Sequence, residues 1–117
     1  MTVSDFVAAV QAEAAKLPFV TQVLLVDQTD YAAKIILTIR PDLFVQLYAN
    51  MASGTRGYTL IHRGQRIYGR DRDAQGWHRH PVEDPLQHDA SPAGAEPIEL
   101  VDFFAEVQDI LEQEQLL

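Results

Sequence analysis

Between Phe19 and His80 the chain offers six short runs of strand-forming residues, and no break between consecutive runs is long enough to hold a crossover helix. Neighbouring strands must therefore pair antiparallel, in chain order. The runs are Phe19 to Val26, Tyr31 to Arg40, Leu43 to Asn50, Tyr58 to His62, Ile67 to Arg72 and Trp77 to His80. In the second, Ile35, Leu37 and Ile39 alternate with Lys34, Thr38 and Arg40, the period of a strand with one wet face, and Ile36 alone is out of phase. In the third, Leu43, Val45, Leu47 and Ala49 alternate with Phe44, Gln46, Tyr48 and Asn50. Turn-forming residues punctuate the series at Pro41 and Asp42, at Ser53, Gly54 and Gly57, at Arg63, Gly64 and Gln65, and from Asp73 to Gly76.

Helical periodicity appears only at the two ends. Ser4 and Asp5 provide a cap and a first-turn acid for a helix over about residues 5 to 16, whose apolar stripe is Phe6, Val7, Val10 and Ala14 and which Pro18 stops. From Ile98 onward Leu100, Phe103, Phe104, Val107, Ile110 and Leu111 form a second stripe, opposite Asp102, Glu106, Asp109, Glu112 and Glu114. The expected architecture is a single α+β domain over residues 1–117. It has an antiparallel sheet of about six short strands, flanked by an N-terminal and a C-terminal helix packed on one face. Phe44 and Tyr48 would then lie on the uncovered face, which predicts a homodimer through the sheet or its edge.

The chain has no cysteine, so disulfides, thiolate metal sites and thiol nucleophiles are excluded. No positively charged, apolar leader opens the sequence and no segment has the length of a membrane span, so the expected location is the cytoplasm, without membrane association. The net charge of −8 is unevenly distributed. Residues 56–80 hold six arginines against Asp71 and Asp73, whereas residues 81–117 hold ten acids and neither lysine nor arginine. That asymmetry fits a local anion site on an acidic body; the competing reading is that the acidic tail folds back and pairs with the arginines.

Chemistry gathers in one place. His78, His80 and His88, three of the four histidines, fall within eleven residues beside the arginine-dense hairpin. On a strand His78 and His80 project from one face, and Trp77 and Arg79 from the other. Two readings of this cluster follow. Histidines at i and i+2 with a third histidine and a carboxylate suit zinc, manganese or iron, but a lone His-x-His is weakly specific, and no metal or other cofactor is assigned from it. Metal-free cleavage of RNA by its own 2′-hydroxyl needs a base, an acid and a cation. His78, His80 and His88 supply the first two, Asp89 orients a histidine, and Arg70 supplies the charge, with Arg72 and Arg79 as further phosphate-binding groups and Tyr58 and Tyr68 as stacking platforms for a base. Against this stands a scaffolding account, in which His80 and His88 bond loop carbonyls and Trp77 fills the core. His62, in phase with Tyr58 and Leu60, reads as a packed or surface side chain outside the cluster.

The segment Arg66 to Asp71, followed by Trp77 to Pro81, then His88 and Asp89 and the closing helix from Leu100 to Leu111, resembles small bacterial proteins similar to the TumE-like toxins of toxin and antitoxin pairs. The resemblance covers about the second half of the chain. It implies a helix-flanked antiparallel sheet, a histidine-rich stretch after the last hairpin, nucleic-acid-directed activity and an antitoxin-like protein partner. The chain departs from the TumE-like pattern in two places: Asp71 is followed by Arg72 rather than asparagine, and the histidines are interrupted by Arg79. The functional expectation is a toxin-like or nuclease-like protein acting on RNA through the His/Arg cluster. The alternative is a non-catalytic homodimeric interaction module that binds a partner protein. The net charge of −8 opposes tight RNA binding unless the basic hairpin is kept apart from the acidic helix.

Overall fold

Thr2 and Asp5 start the first helix with a reciprocal capping box. The Asp5 N–H donates to Thr2 Oγ1 at 3.1 Å and the Thr2 N–H donates to Asp5 Oδ2 at 2.9 Å. The helix α1 therefore spans Val3–Ala14, two residues earlier than the cap expected at Ser4 and Asp5. In the computed structural model, which describes residues 1–117, six strands follow: β1 (Gln22–Gln28), β2 (Ala32–Arg40), β3 (Leu43–Asn50), β4 (Arg56–His62), β5 (Gln65–Asp73) and β6 (Gly76–His80). A second helix, α2, spans Leu100–Gln113. β1 begins after the expected Phe19 because Leu17 to Val20 close a turn instead, the Val20 N–H donating to the Leu17 carbonyl at 3.2 Å.

The sheet is a single antiparallel meander in the order β1-β2-β3-β4-β5-β6. Register carries the core face straight across its middle. Ile35 pairs with Leu47 and Leu37 with Val45, then Leu47 with Tyr58 and Val45 with Leu60. These side chains are buried with Phe6 and Val10 of α1 and with Phe103, Phe104, Val107 and Leu111 of α2, so both helices cover one face as expected. Ile36 is out of phase because it belongs to the other face, beside Leu24 and Gln46. No helix is long and apolar enough to cross a membrane.

Both edges of the sheet differ from its centre. Every residue of β1 is exposed, and Leu24 and Val26 keep 47% and 46% of their surface. A continuous exposed apolar run, Val23 to Val26, thus lies on this edge strand, whereas Phe44 and Tyr48 are half-buried. At the opposite side the covered face turns polar. Tyr68 donates its phenol to Glu106 Oε1 at 2.5 Å, and Arg70 lies 3.1 Å from Glu106 Oε2 and donates to the Glu96 carbonyl at 2.6 Å. The acidic tail does fold back onto an arginine of the hairpin.

One irregularity matters for everything on the open face. Arg63 and Gly64 both adopt positive φ, as a two-residue hairpin turn requires, but the β4–β5 register then slips, with Ile61 opposite Arg66 and Leu60 opposite Tyr68. Strict alternation from Tyr68 would send Arg66 toward the helices. The bulge sends it to the open face instead. Phe104, 3% exposed, tests the covered side: Phe104→Ala should lower unfolding stability by about 3 to 5 kcal/mol in denaturant titration, and a much smaller loss would contradict the packing of α2.

Candidate functional site

Because successive strand residues face opposite ways, the open face of β5 and β6 is fixed by register: Asp71 lies opposite His78 and Gly69 opposite His80. On the other side of β5, Thr59 pairs with Gly69 and Gly57 with Asp71. Gly69 and Gly57 leave the floor low. The Arg66 guanidinium lies over Gly69, where an added Cβ would come within 3.3 Å of its Nη1. From there it donates to Asp71 Oδ2 at 3.0 Å and to Thr59 Oγ1 at 3.1 Å. These groups, with Tyr48, Arg56 and Arg72 at the rim, line an open groove of about 530 Å³.

The three histidines meet in this groove. Ring centroids are 5.1 Å apart for His78 and His80, 4.8 Å for His78 and His88 in parallel stacking, and 4.7 Å for His80 and His88. His80, 6% exposed, places Nδ1 2.8 Å from the Pro85 carbonyl, so in the neutral ring Nδ1 carries the hydrogen and Nε2 keeps its lone pair. That Nε2 lies 3.3 Å from Asp71 Oδ2, and His78 Nε2 lies 3.7 Å from the same oxygen. Burial pushes the His80 imidazole below the usual histidine range, and the positive charges of Arg66 and His88 push it the same way, while the Pro85 carbonyl and Asp71 oppose them. Asp71 Oδ1 is buried without a hydrogen-bond partner.

His88 arrives from the segment between β6 and α2, which is pinned rather than loose. Arg79 and Asp89 exchange two backbone hydrogen bonds, 2.9 and 2.8 Å, so residues 88 and 89 extend the sheet by one bridge and alternate like a strand. His88 therefore faces the groove and Asp89 faces away. Asp89 accepts from Arg79 Nη2 at 2.6 Å, and hydrogen bonding from Ser91, then from Arg79, holds its carboxyl at about 2. Gly94 closes tightly over this bridge, with no room for a Cβ, which would fall 2.1 Å from the Asp89 carbonyl oxygen.

Of the residues singled out in the sequence, His78, His80 and His88 converge and the others divide. Arg70 is on the helix-covered face, bound to Glu106 and Glu96, and does not join the histidines. Arg79 and Asp89 pair with each other on that same side, so Asp89 orients no histidine and Arg79 offers no free fork to a phosphate. Arg72 donates to the Gly54 carbonyl at 3.3 Å and reaches only the rim of the groove. Tyr58 and Tyr68 are buried against Phe103 and cannot stack a base. His62 stands apart, 3.8 Å from Asp42 at the other end of β4. The scaffolding account holds for one nitrogen, His80 Nδ1, and for Trp77, which packs against the core beside Tyr58. Asp71 and Arg66 were missed as partners of the cluster: counting back from the Asp73 to Gly76 turn places Asp71 opposite His78, but nothing in the composition announces the bulge that delivers Arg66.

Comparison with known protein families, with curated proteins and with solved structures finds no match to this chain. The lowered His80 pKa has a direct consequence for stability. The unfolded chain takes up a proton near pH 6.5, before the folded one does, so this contribution is present above that pH and is lost as the pH falls through the folded value. The melting temperature should decline between about pH 7.5 and pH 5, and His80→Gln should flatten the decline; an unchanged slope in the variant would assign the effect to other groups.

Proposed function

We propose that the open-face groove is a site for phosphodiester chemistry on RNA, in a toxin-like protein of the kind that the resemblance to TumE-like proteins implies. The observation that carries this reading is the convergence of three imidazoles beside the Asp71–Arg66 pair in a groove open to solvent. RNA cleavage by its own 2′-hydroxyl removes that proton, forms a bond from the 2′-oxygen to phosphorus, and breaks the bond to the 5′-oxygen, which takes a proton as it leaves. The nitrogen-rich cluster serves the proton transfers. Arg66, held in place by Asp71 and Thr59, supplies positive charge for the phosphorane oxygens. Tyr48 at the rim takes the stacking role.

Charge separation supports the same reading. Glu106, Asp109 and Glu114 line a cleft between α2 and the Pro81 segment, on the covered side of the sheet, while the groove opens on the other. With Arg70 and Arg79 neutralised by Glu106 and Asp89, the groove keeps few free cations, so RNA affinity is expected to be modest and its salt dependence shallow. The resemblance also implies an antitoxin-like protein that holds such an activity in check.

A second reading rests on β1. Its exposed apolar run, Val23 to Val26, sits on an edge strand with one row of unpaired backbone groups, which favours association with a second copy or a partner protein. Light scattering at micromolar concentration should show a dimer that Leu24→Lys converts to a monomer; a monomeric parent protein would remove this reading. For the nuclease reading, His88→Ala should leave the melting temperature nearly unchanged, because His88 is exposed, and should reduce RNA cleavage by about 100-fold or more. Cleavage at the parent rate in His78→Ala and His88→Ala alike would sink it.

A further inference from the structure

We propose that His78, His80 and His88 bind one divalent transition-metal ion of the zinc type, with Asp71 beside them as the charge-compensating and orienting carboxylate. The inference rests on the groove of the nuclease reading and revises its chemistry: imidazoles that ligate an ion no longer transfer protons, and water bound to the ion would take the base role.

His80 is set up as a metal ligand sets up its second nitrogen: its Nδ1 meets the Pro85 carbonyl at 2.8 Å, which fixes the tautomer and leaves Nε2 facing inward. His78 turns its Nε2 to the same place. There the two Nε2 atoms lie 3.3 and 3.7 Å from one carboxylate oxygen of Asp71. The Arg66 guanidinium compensates Asp71 from one side, and an ion among the ring nitrogens would compensate it from the other. One proton could serve one ring, but a third imidazole, His88, brings its nitrogen to the same place, with one ring nitrogen from each histidine within 4.8 Å of the others.

The distances suit ligands poised for an ion. Bonds of about 2.0 to 2.1 Å to zinc require the nitrogens to draw in by roughly 1 Å. His88 is exposed and its ring makes only ring contacts, with His78 and His80, so the adjustment falls on that side chain. Arg66 already donates to Asp71 Oδ2, which leaves the imidazoles as the direct ligands, and Asp71 Oδ1 remains buried with no donor. Three protein nitrogens on an open face leave a coordination position for water, the pattern of catalytic rather than structural zinc. Such an ion supplies a bound hydroxide near neutral pH and a Lewis acid for a phosphoryl oxygen.

The test is titration of the metal-free, full-length protein with zinc chloride by calorimetry, repeated with cobalt(II) and read by its visible absorption. One ion per chain, a higher melting temperature in zinc, and a tetrahedral or five-coordinate cobalt spectrum are expected. His88→Ala, which leaves the fold intact, should weaken binding by about tenfold or more, and Asp71→Asn by about 10-fold to 100-fold. Folded parent protein that binds no ion, or His88→Ala binding as tightly as the parent, would overturn the assignment. RNA cleavage separates this inference from the reading beneath it. Cleavage by a protein that binds no ion overturns the metal and leaves the nuclease, whereas one bound ion with no cleavage in any metal supports the site and overturns the nuclease.

Discussion

Strand β5 carries charged side chains on both of its faces, and the bulge at Leu60 and Ile61 decides which charge goes where. Toward the helices go Tyr68 and Arg70, and toward the open side go Arg66 and Asp71. Had the hairpin kept strict register, Arg66 would have joined Arg70 under α2 and Asp71 would have faced the histidines without its cation. A single inserted residue therefore separates the ion pair under α2 from the one beside the histidines. Gly69 serves the same end from the other direction, because a Cβ there would crowd the guanidinium at 3.3 Å where it reaches Thr59 and Asp71.

The covered-side network has a positional role more than an energetic one. Desolvating Arg70 offsets much of its attraction to Glu106, and pairs of this sort contribute little net stability even where breaking them is costly. What the network does is index α2 to β5. The Glu106 carboxylate receives both the Tyr68 phenol and the Arg70 guanidinium, and Arg70 also holds the Glu96 carbonyl just before the helix begins. Burial, then the neighbouring Glu106, pushes the Tyr68 phenol well above its ordinary range, so the hydrogen it donates stays in place throughout the neutral region. The segment that carries His88 is thus tied down at both ends, by Arg79 at its start and Arg70 at its finish.

Much of this was legible in the sequence, for identifiable reasons. Alternation in β2 and β3, helical stripes at the termini and short breaks between strands left one economical topology, and that topology is the one found. The shared face of His78 and His80 followed from the period of a strand. Arg70, Arg79 and Asp89 could not be placed from proximity in the sequence, because their side chains point to the opposite side of the sheet from the histidines they neighbour. The first helix began early because Thr2 and Asp5 close a box that the Ser4 and Asp5 reading overlooked. Side-chain facing at β5 was beyond any pattern count, since it depends on a bulge set by how the turn at Arg63 and Gly64 meets the packing of Leu60 and Tyr68.

The backbone bridge between Arg79 and Asp89 also bears on how copies of the chain could join. It covers part of the outer edge of β6 and places an ion pair there, so this side of the sheet is not a bare row of donors and acceptors. β1 is left as the one uncapped edge along its whole length. A chain with two open edges can add neighbours on either side without end. With one edge blunted, growth by strand addition would stop once two β1 strands had met, as a closed pair rather than a fibre.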